Sequence, residues 1–126
     1  MTISSFISLI QSELPLQMAM ADDPVGTQLL PDDRPVSRVA AVYEIDDHVA
    51  ALAIQRQVDL LVVFHPLIYE GLTTIGQKTR VERVVVDLIR AGVAVYVVHT
   101  AFDSHPAGTS FLLASELGLE GIEPLL

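Results

Sequence analysis

The chain has 126 residues, enough for one core of ordinary size and too few for two, and it contains no cysteine. Disulfides and thiolate metal sites are therefore excluded, and any metal must sit on imidazole nitrogen and carboxylate oxygen. Sixteen acidic residues against seven Lys and Arg give a formal net charge of −9, with no cluster of basic residues and aromatics, which argues against nucleic-acid binding.

Apolar residues make up 51% of the sequence and charged residues 18%, with a mean hydropathy of +0.48. That is more apolar surface than a small core absorbs, and self-association is its expected outlet. The first residues, Met1 to Phe6, carry no basic stretch, and the apolar runs are of strand length, well short of the ~20 residues of a membrane span. The expectation is a soluble, cytoplasmic, unprocessed protein with no membrane partner.

Along the chain, Ile3, Phe6, Ile7 and Ile10 are spaced by three and four residues and predict an amphipathic helix from Thr2 to about Glu13, closed by Pro15. Leu16 to Pro35 has the composition of a loop, with Pro24, Gly26, Pro31 and Pro35 and two Asp-Asp pairs, anchored by Val25, Leu29 and Leu30. Arg38 to Glu44 reads as a buried strand. Asp46 or Asp47 then caps a helix running to about Gln57.

Asp59 to Phe64 is a second, almost wholly apolar strand. After a loop with Gly71 and Gly76, Thr79 and Glu82 form a T-x-x-E capping box ahead of a helix carrying Val81, Val84, Val85, Leu88 and Ile89. Gly92 stands where a helix is expected to stop. Val93 to Val98 is the third strand, and Gly108 to Glu116 the last helix, stopped by Gly118. Apolar strands alternating with helices predict an α/β fold: three layers, with a mainly parallel sheet and helices on both faces, in one domain over residues 1–126.

His65 and His99 each follow directly on an apolar strand, so both emerge at the carboxyl edge of the sheet, where open α/β sheets bind ligands. If the two strands are neighbours, their ends lie ~5 Å apart, close enough for two imidazoles to share an ion. Asp103 follows His99 by four residues in a predicted loop that can curl back over the same edge. Two imidazoles and a carboxylate suit a divalent ion with open positions, as in zinc hydrolases or non-haem iron sites.

A histidine at a strand end is also commonly just hydrogen-bonded to a loop carbonyl, and solvation accounts for His48 and His105. Glu44 is a candidate to orient an imidazole, while Tyr69, Glu70 and Thr73 line the loop after His65. No glycine spacing suggests a phosphate cradle, and no nucleophile elbow is present.

Three segments carry a resemblance: Ala21 to Gln28 (ADDPVGTQ), Val58 to Ile75 (VDLLVVFHPLIYEGLTTI) and Gly92 to Leu119 (GVAVYVVHTAFDSHPAGTSFLLASELGL). Together they resemble, in collinear order over nearly the whole chain, the N-terminal domain of the NIF-three-like family, the type 2 GTP cyclohydrolase I homologues. The family's His-His-Pro-Leu-Ile-Phe is here Phe64 to Tyr69, its His-Thr-Asn-Leu-Asp is His99 to Asp103, and its Trp-Asp-Asn-Val-Gly-Leu-Gln is Asp22 to Gln28.

The resemblance implies two similar α/β domains per chain, assembled into hexamers around a dinuclear metal cleft. It assigns His65, His99 and Asp103 as metal ligands, with Phe64 in place of a fourth. The family's remaining His and Glu ligands belong to a C-terminal domain that is absent here. A reduced, mononuclear site for zinc, iron or manganese is the implied outcome, with metal-dependent hydrolase activity of the GTP cyclohydrolase kind; the resemblance names no catalytic residue beyond the ligands. Two other outcomes compete: a non-catalytic interaction module self-associating as a dimer to hexamer, or half of a split protein whose second polypeptide completes the site.

Overall fold

A computed structural model describes residues 1–123. Its centre is a four-stranded sheet in the order β1-β4-β3-β2, formed by Gly26–Leu29 (β1), Val39–Val42 (β2), Leu60–Val63 (β3) and Ala94–Val97 (β4). The last three run parallel, and β1 joins the β4 edge antiparallel. The parallel trio falls where the three apolar runs predict it. The fourth strand lies inside the segment expected to be a loop.

Four residues that include a glycine carry no readable period, so β1 is specified by its place beside β4 and by Leu29, which it buries. Met20 to Gly26 leads into it through turns, following a single 3-10 turn at Leu16–Met18.

Residues alternate between the two faces of β3 and β4. Leu61, Val63, Val95 and Val97 pack under α2 (Asp47–Gln55) and α3 (Arg80–Ala91), with Ala50, Ala53, Val84, Val85 and Leu88. Leu60, Ala94, Tyr96 and Val98 pack on the other face against Ile3, Ile7 and Leu14 of α1 (Ile3–Glu13) and its end, and against Ala101 of α4 (His99–Asp103). Helices thus cover both faces, as predicted. Among the described residues, no helix is long and apolar enough to cross a membrane.

The caps expected at Asp46, Thr79 and Gly92 hold, and Thr2, read only as the first residue of its helix, is a further one. Thr2 Oγ1 accepts the Ser5 amide and Asp46 Oδ1 the Val49 amide at 2.7 Å. Thr79 Oγ1 accepts the Glu82 amide, while the Glu82 carboxylate takes the Lys78 amide and the Thr74 hydroxyl, tying the preceding loop to α3. Gly92 adopts φ +71°, and Val93 donates back to the Leu88 carbonyl, closing α3 in a left-handed turn. An added Cβ there would lie 2.7 Å from the Arg34 guanidinium, which would have to shift to make room.

That guanidinium belongs to a polar staple at the amino end of the sheet. Asp59, 7% exposed at the start of β3, accepts from the amides of Ser37 and Arg38, from the Ser37 hydroxyl and from Arg34, which also donates to the Gly92 carbonyl. Burial works to raise the Asp59 pKa; the five donated hydrogen bonds outweigh it and hold the carboxyl down to about 2, against an ordinary 3.8.

A carboxyl whose pKa is lower folded than unfolded stabilises fully above its unfolded value, and the contribution disappears as pH falls from ~3.8 to ~2. Urea titrations should therefore show wild-type stability dropping by ~2 kcal/mol across that window. Asp59→Asn should be less stable by a similar amount at neutral pH, with that part of the acid dependence gone; an unchanged acid profile in the variant would place the titrating group elsewhere.

Candidate functional site

The parallel ladder continues beyond β3 and β4. Phe64 and His65 donate their amides to the carbonyls of Val42 and Tyr43, and Val98 and His99 donate to Val63 and Phe64. Since Val63 pairs with Val97, His65 and His99, each two residues on, occupy the same level of adjacent strands. Their ring centroids are 5.7 Å apart, edge to face. Backbone register alone brings the two imidazoles together.

His99 is unusual in its backbone. Its φ of +24° is one of three positive values on non-glycine residues among those described, and it sits where β4 turns abruptly into α4. Such a conformation costs ~1–3 kcal/mol and persists where surrounding contacts impose it. Those contacts come from Asp23, in the turn before β1. His99 Nδ1 meets Asp23 Oδ1 at 2.7 Å, and Asp23 Oδ2 accepts both the amide and the hydroxyl of Thr100. Thr100 Oγ1 in turn accepts the Met20 amide.

The Asp23 side chain is 6% exposed. Burial works to raise its pKa, and the hydrogen bonds from Thr100 and His99 overcome that and hold it below the usual carboxylate range.

Asp103 lies on α4 rather than in the loop expected for it. Five residues give no helical period to read, and the helix is announced only by its packing through Ala101. At four residues from His99, Asp103 falls about one turn further along. Its side chain lines a cavity of about 460 Å³ with Ser104, His105, Ser110 and Phe111. His105 accepts the Ala107 amide through Nδ1. Among the described residues, no three His, Asp or Glu side chains gather into a ready metal cage.

Glu44, a candidate to orient an imidazole, instead lies 3.8 Å from Arg80, and Tyr69, Glu70 and Thr73 are exposed in the loop after His65.

Phe64 separates the imidazoles from an apolar groove. Its ring stacks on Tyr43 at 5.3 Å and touches both His65 and His99. The groove, about 710 Å³, is lined by Ile10, Leu14, Ala41, Val62 and Phe102 along with these two aromatics. It exists because α1 covers β4 and β3 but leaves the same face of β2 open, where Val39, Ala41 and Tyr43 are exposed. The site thus has a polar side at the histidines and a greasy side behind Phe64.

Gln28 holds the loop that follows His65. The pairing of β1 with β4 slips between Thr27 and Leu29, leaving Gln28 as the extra residue of a bulge, a device that re-aims a side chain. Its amide donates to the carbonyls of Ile68 and Pro24, and its oxygen accepts the Ile68 amide at 2.9 Å. Asp23 and Gln28 are the two residues that sequence reasoning did not single out. Each acts across the fold, over 76 and 40 positions, and their only signal was membership of the short segment Ala21 to Gln28.

The model of the Duf34/NIF3 (NGG1p interacting factor 3) family matches residues 1–126. The chain belongs to that family. A Lactococcus lactis relative named GTP cyclohydrolase 1 type 2 homolog is 33% identical over 125 residues, 99% of this chain and 49% of that protein. A Streptomyces coelicolor relative of the same name is 35% identical over 124 residues, covering 98% of this chain and 44% of its own length. Among solved structures, the Bacillus cereus protein related to NIF3 superposes with a TM-score of 0.91 at 30% identity, over 100% of this chain and 35% of that one. The chain therefore spans about half or less of the length of these relatives.

Gln28 satisfies both the amide and the carbonyl of Ile68, so Gln28→Ala should leave that backbone without its partner. Hydrogen exchange at the Ile68 amide should quicken about tenfold or more, while central amides such as Val62 and Val95 stay protected. Equal loss of protection at all three would mean that Gln28 supports the fold as a whole rather than this loop.

Proposed function

We propose that the chain is a divalent-metal-binding Duf34/NIF3 domain, with His65 and His99 as its nitrogen ligands and Asp103 as its carboxylate ligand. The observation that carries this reading is the pair of imidazoles brought side by side at the carboxyl edge, one of them held through Nδ1 by a buried carboxylate. The donor set fits zinc, iron or manganese: imidazole and carboxylate suit borderline and hard cations, and no thiolate is present to select a softer one. Phe64, an aromatic wall at the edge of the site, offers no donor for a second ion, which favours a mononuclear centre.

Bound there, a divalent ion supplies Lewis acidity for hydrolysis, the reaction class suggested by the relatives' name. The chain's own residues bind and orient. The parallel register fixes the imidazole spacing, Gln28 ties down the loop after His65, and Phe64 with Tyr43 gives one side an apolar wall. None of the seven basic residues is among the site residues, so an anionic substrate of the GTP kind would rely on the ion, or on a second polypeptide, for neutralising charge.

A second reading is favoured by the open face of β2. An apolar groove of about 710 Å³ and the exposed Phe111, Leu112 and Leu113 of α5 (Thr109–Glu116) suit a self-associating interaction module that has kept the fold and lost the chemistry.

Metal analysis after reconstitution separates the two. The metal reading expects near-stoichiometric zinc, iron or manganese in the wild type, and a loss of affinity of about tenfold or more in His65→Ala and in His99→Ala, with little change in secondary structure. Uptake below about a tenth of an equivalent, with or without added metal, would leave the interaction module standing.

A further inference from the structure

The two edges of the sheet are built differently. At the β1 edge the ladder to β4 is broken by the bulge at Gln28, and Gly26 enters it with φ +95°. β2 forms the other edge. It pairs with β3 in unbroken parallel register from Val39 to Val42 and has no strand on its outer side among the described residues. Its sequence there is Val-Ala-Ala-Val, without the proline, lysine, bulge or inward-pointing charge that ordinarily keeps an exposed edge from pairing.

The direction of its free backbone groups follows from the bonds it makes. The carbonyls of Arg38 and Val42 accept from the amides of Asp59 and Phe64, so these residues, and Ala40 between them, turn towards β3. Val39 and Ala41 turn their amides and carbonyls outward. The side chains of Val39, Ala41 and Tyr43 are exposed on the α1 side, while Ala40 and Val42 pack under α2.

We infer that β2 is a self-pairing edge: two copies of this chain join antiparallel through Val39 to Tyr43, about a twofold axis at Ala41. The charges at the ends of the strand select this partner and this register. Antiparallel pairing about Ala41 sets Arg38 of each copy opposite Glu44 of the other, Val39 opposite Tyr43 and Ala40 opposite Val42, while the two Ala41 residues exchange their outward hydrogen bonds. Opposite charges and an aromatic facing a β-branched residue each favour such a contact. Two copies side by side in parallel would instead set Arg38 beside Arg38 and Glu44 beside Glu44. Both residues are exposed, with the Arg56 carbonyl and Arg80 as their neighbours within one chain.

The same register keeps like faces together, so the open apolar faces of the two β2 strands, each continuous with a groove of about 710 Å³, lie side by side. A twofold contact of this kind closes at two copies. The pairing rests on the self-association reading of the open β2 face and stands whether or not His65 and His99 take a metal.

The chain has no cysteine, so a single Ala41→Cys is a clean probe. Residues facing each other across an antiparallel hydrogen-bonded pair have Cα atoms ~5.5 Å apart, within disulfide reach, and mild oxidation should link Ala41→Cys into a covalent dimer. Thr27→Cys, exposed on the opposite edge, should stay largely unlinked. Sedimentation equilibrium should find a wild-type dimer. Ala41→Pro removes an amide that β3 does not use, and should weaken the dimer about tenfold or more while keeping the wild-type circular dichroism. Arg38→Glu and Glu44→Arg should each weaken it, and the two together should restore most of the loss.

A wild type that stays monomeric up to ~1 mM overturns the pairing and the self-association reading together, leaving the edge to another polypeptide. A dimer indifferent to Ala41→Pro and to the charge exchange, and linked no better through Ala41→Cys than through Thr27→Cys, overturns the pairing alone. Should Ala41→Pro fail to fold, the cross-link and the charge exchange decide.

Discussion

The pairing of β3 with β4 is the constraint on which the site depends. Val63 opposite Val97 places His65 opposite His99, and because side chains alternate along a strand, slipping this register by one residue would send one imidazole to the other face. The register is fixed by burial. Leu60, Leu61 and Val63 meet Ala94, Val95 and Val97 with both sheet faces covered, so any slip would expose apolar surface at ~25 cal/mol per Å². The imidazole pair is in this sense a by-product of the core, and no polar interaction is needed to bring the two rings to one level.

What the core does not supply is the orientation of the His99 ring and of the loop after His65, which comes from the stretch that leads into and through β1. Asp23 holds His99, and Gln28, thrown out of the ladder by a bulge, holds the loop that carries His65 onward. The two side chains stand five residues apart and flank Gly26, whose φ of +95° and close approach to Leu16 mark a tight entry into the strand. A stretch that reads as loop therefore acts as the clamp across the carboxyl edge.

This division explains what was legible in the sequence. The parallel strands, the covering helices and their caps announce themselves through apolar period, T-x-x-E and a terminal glycine, all of which are local signals. The neighbouring positions of His65 and His99 follow from two strand ends and one assumption of adjacency. β1 escaped because Gly-Thr-Gln-Leu has no apolar run of the kind that marks the parallel strands, and α4 because five residues show no helical period; each is imposed by packing against β4 or on the face beneath α1. Asp23 escaped for a different reason: a carboxylate acting across 76 residues looks, in its own surroundings, like one more turn aspartate.

Phe64 is the residue at which chemistry and packing meet. One step before His65, it faces the α1 side of the sheet, stacks on Tyr43 from the neighbouring strand and forms the rear of the apolar groove while its ring edges contact both imidazoles. A histidine there would place a polar ring against Val62, Val98 and Phe102, where burying a nitrogen without a partner costs ~1–3 kcal/mol unless an ion satisfies it. Phenylalanine removes that demand, so the local fold can stand without metal at this position. The same ring puts an apolar flank beside His65 and His99.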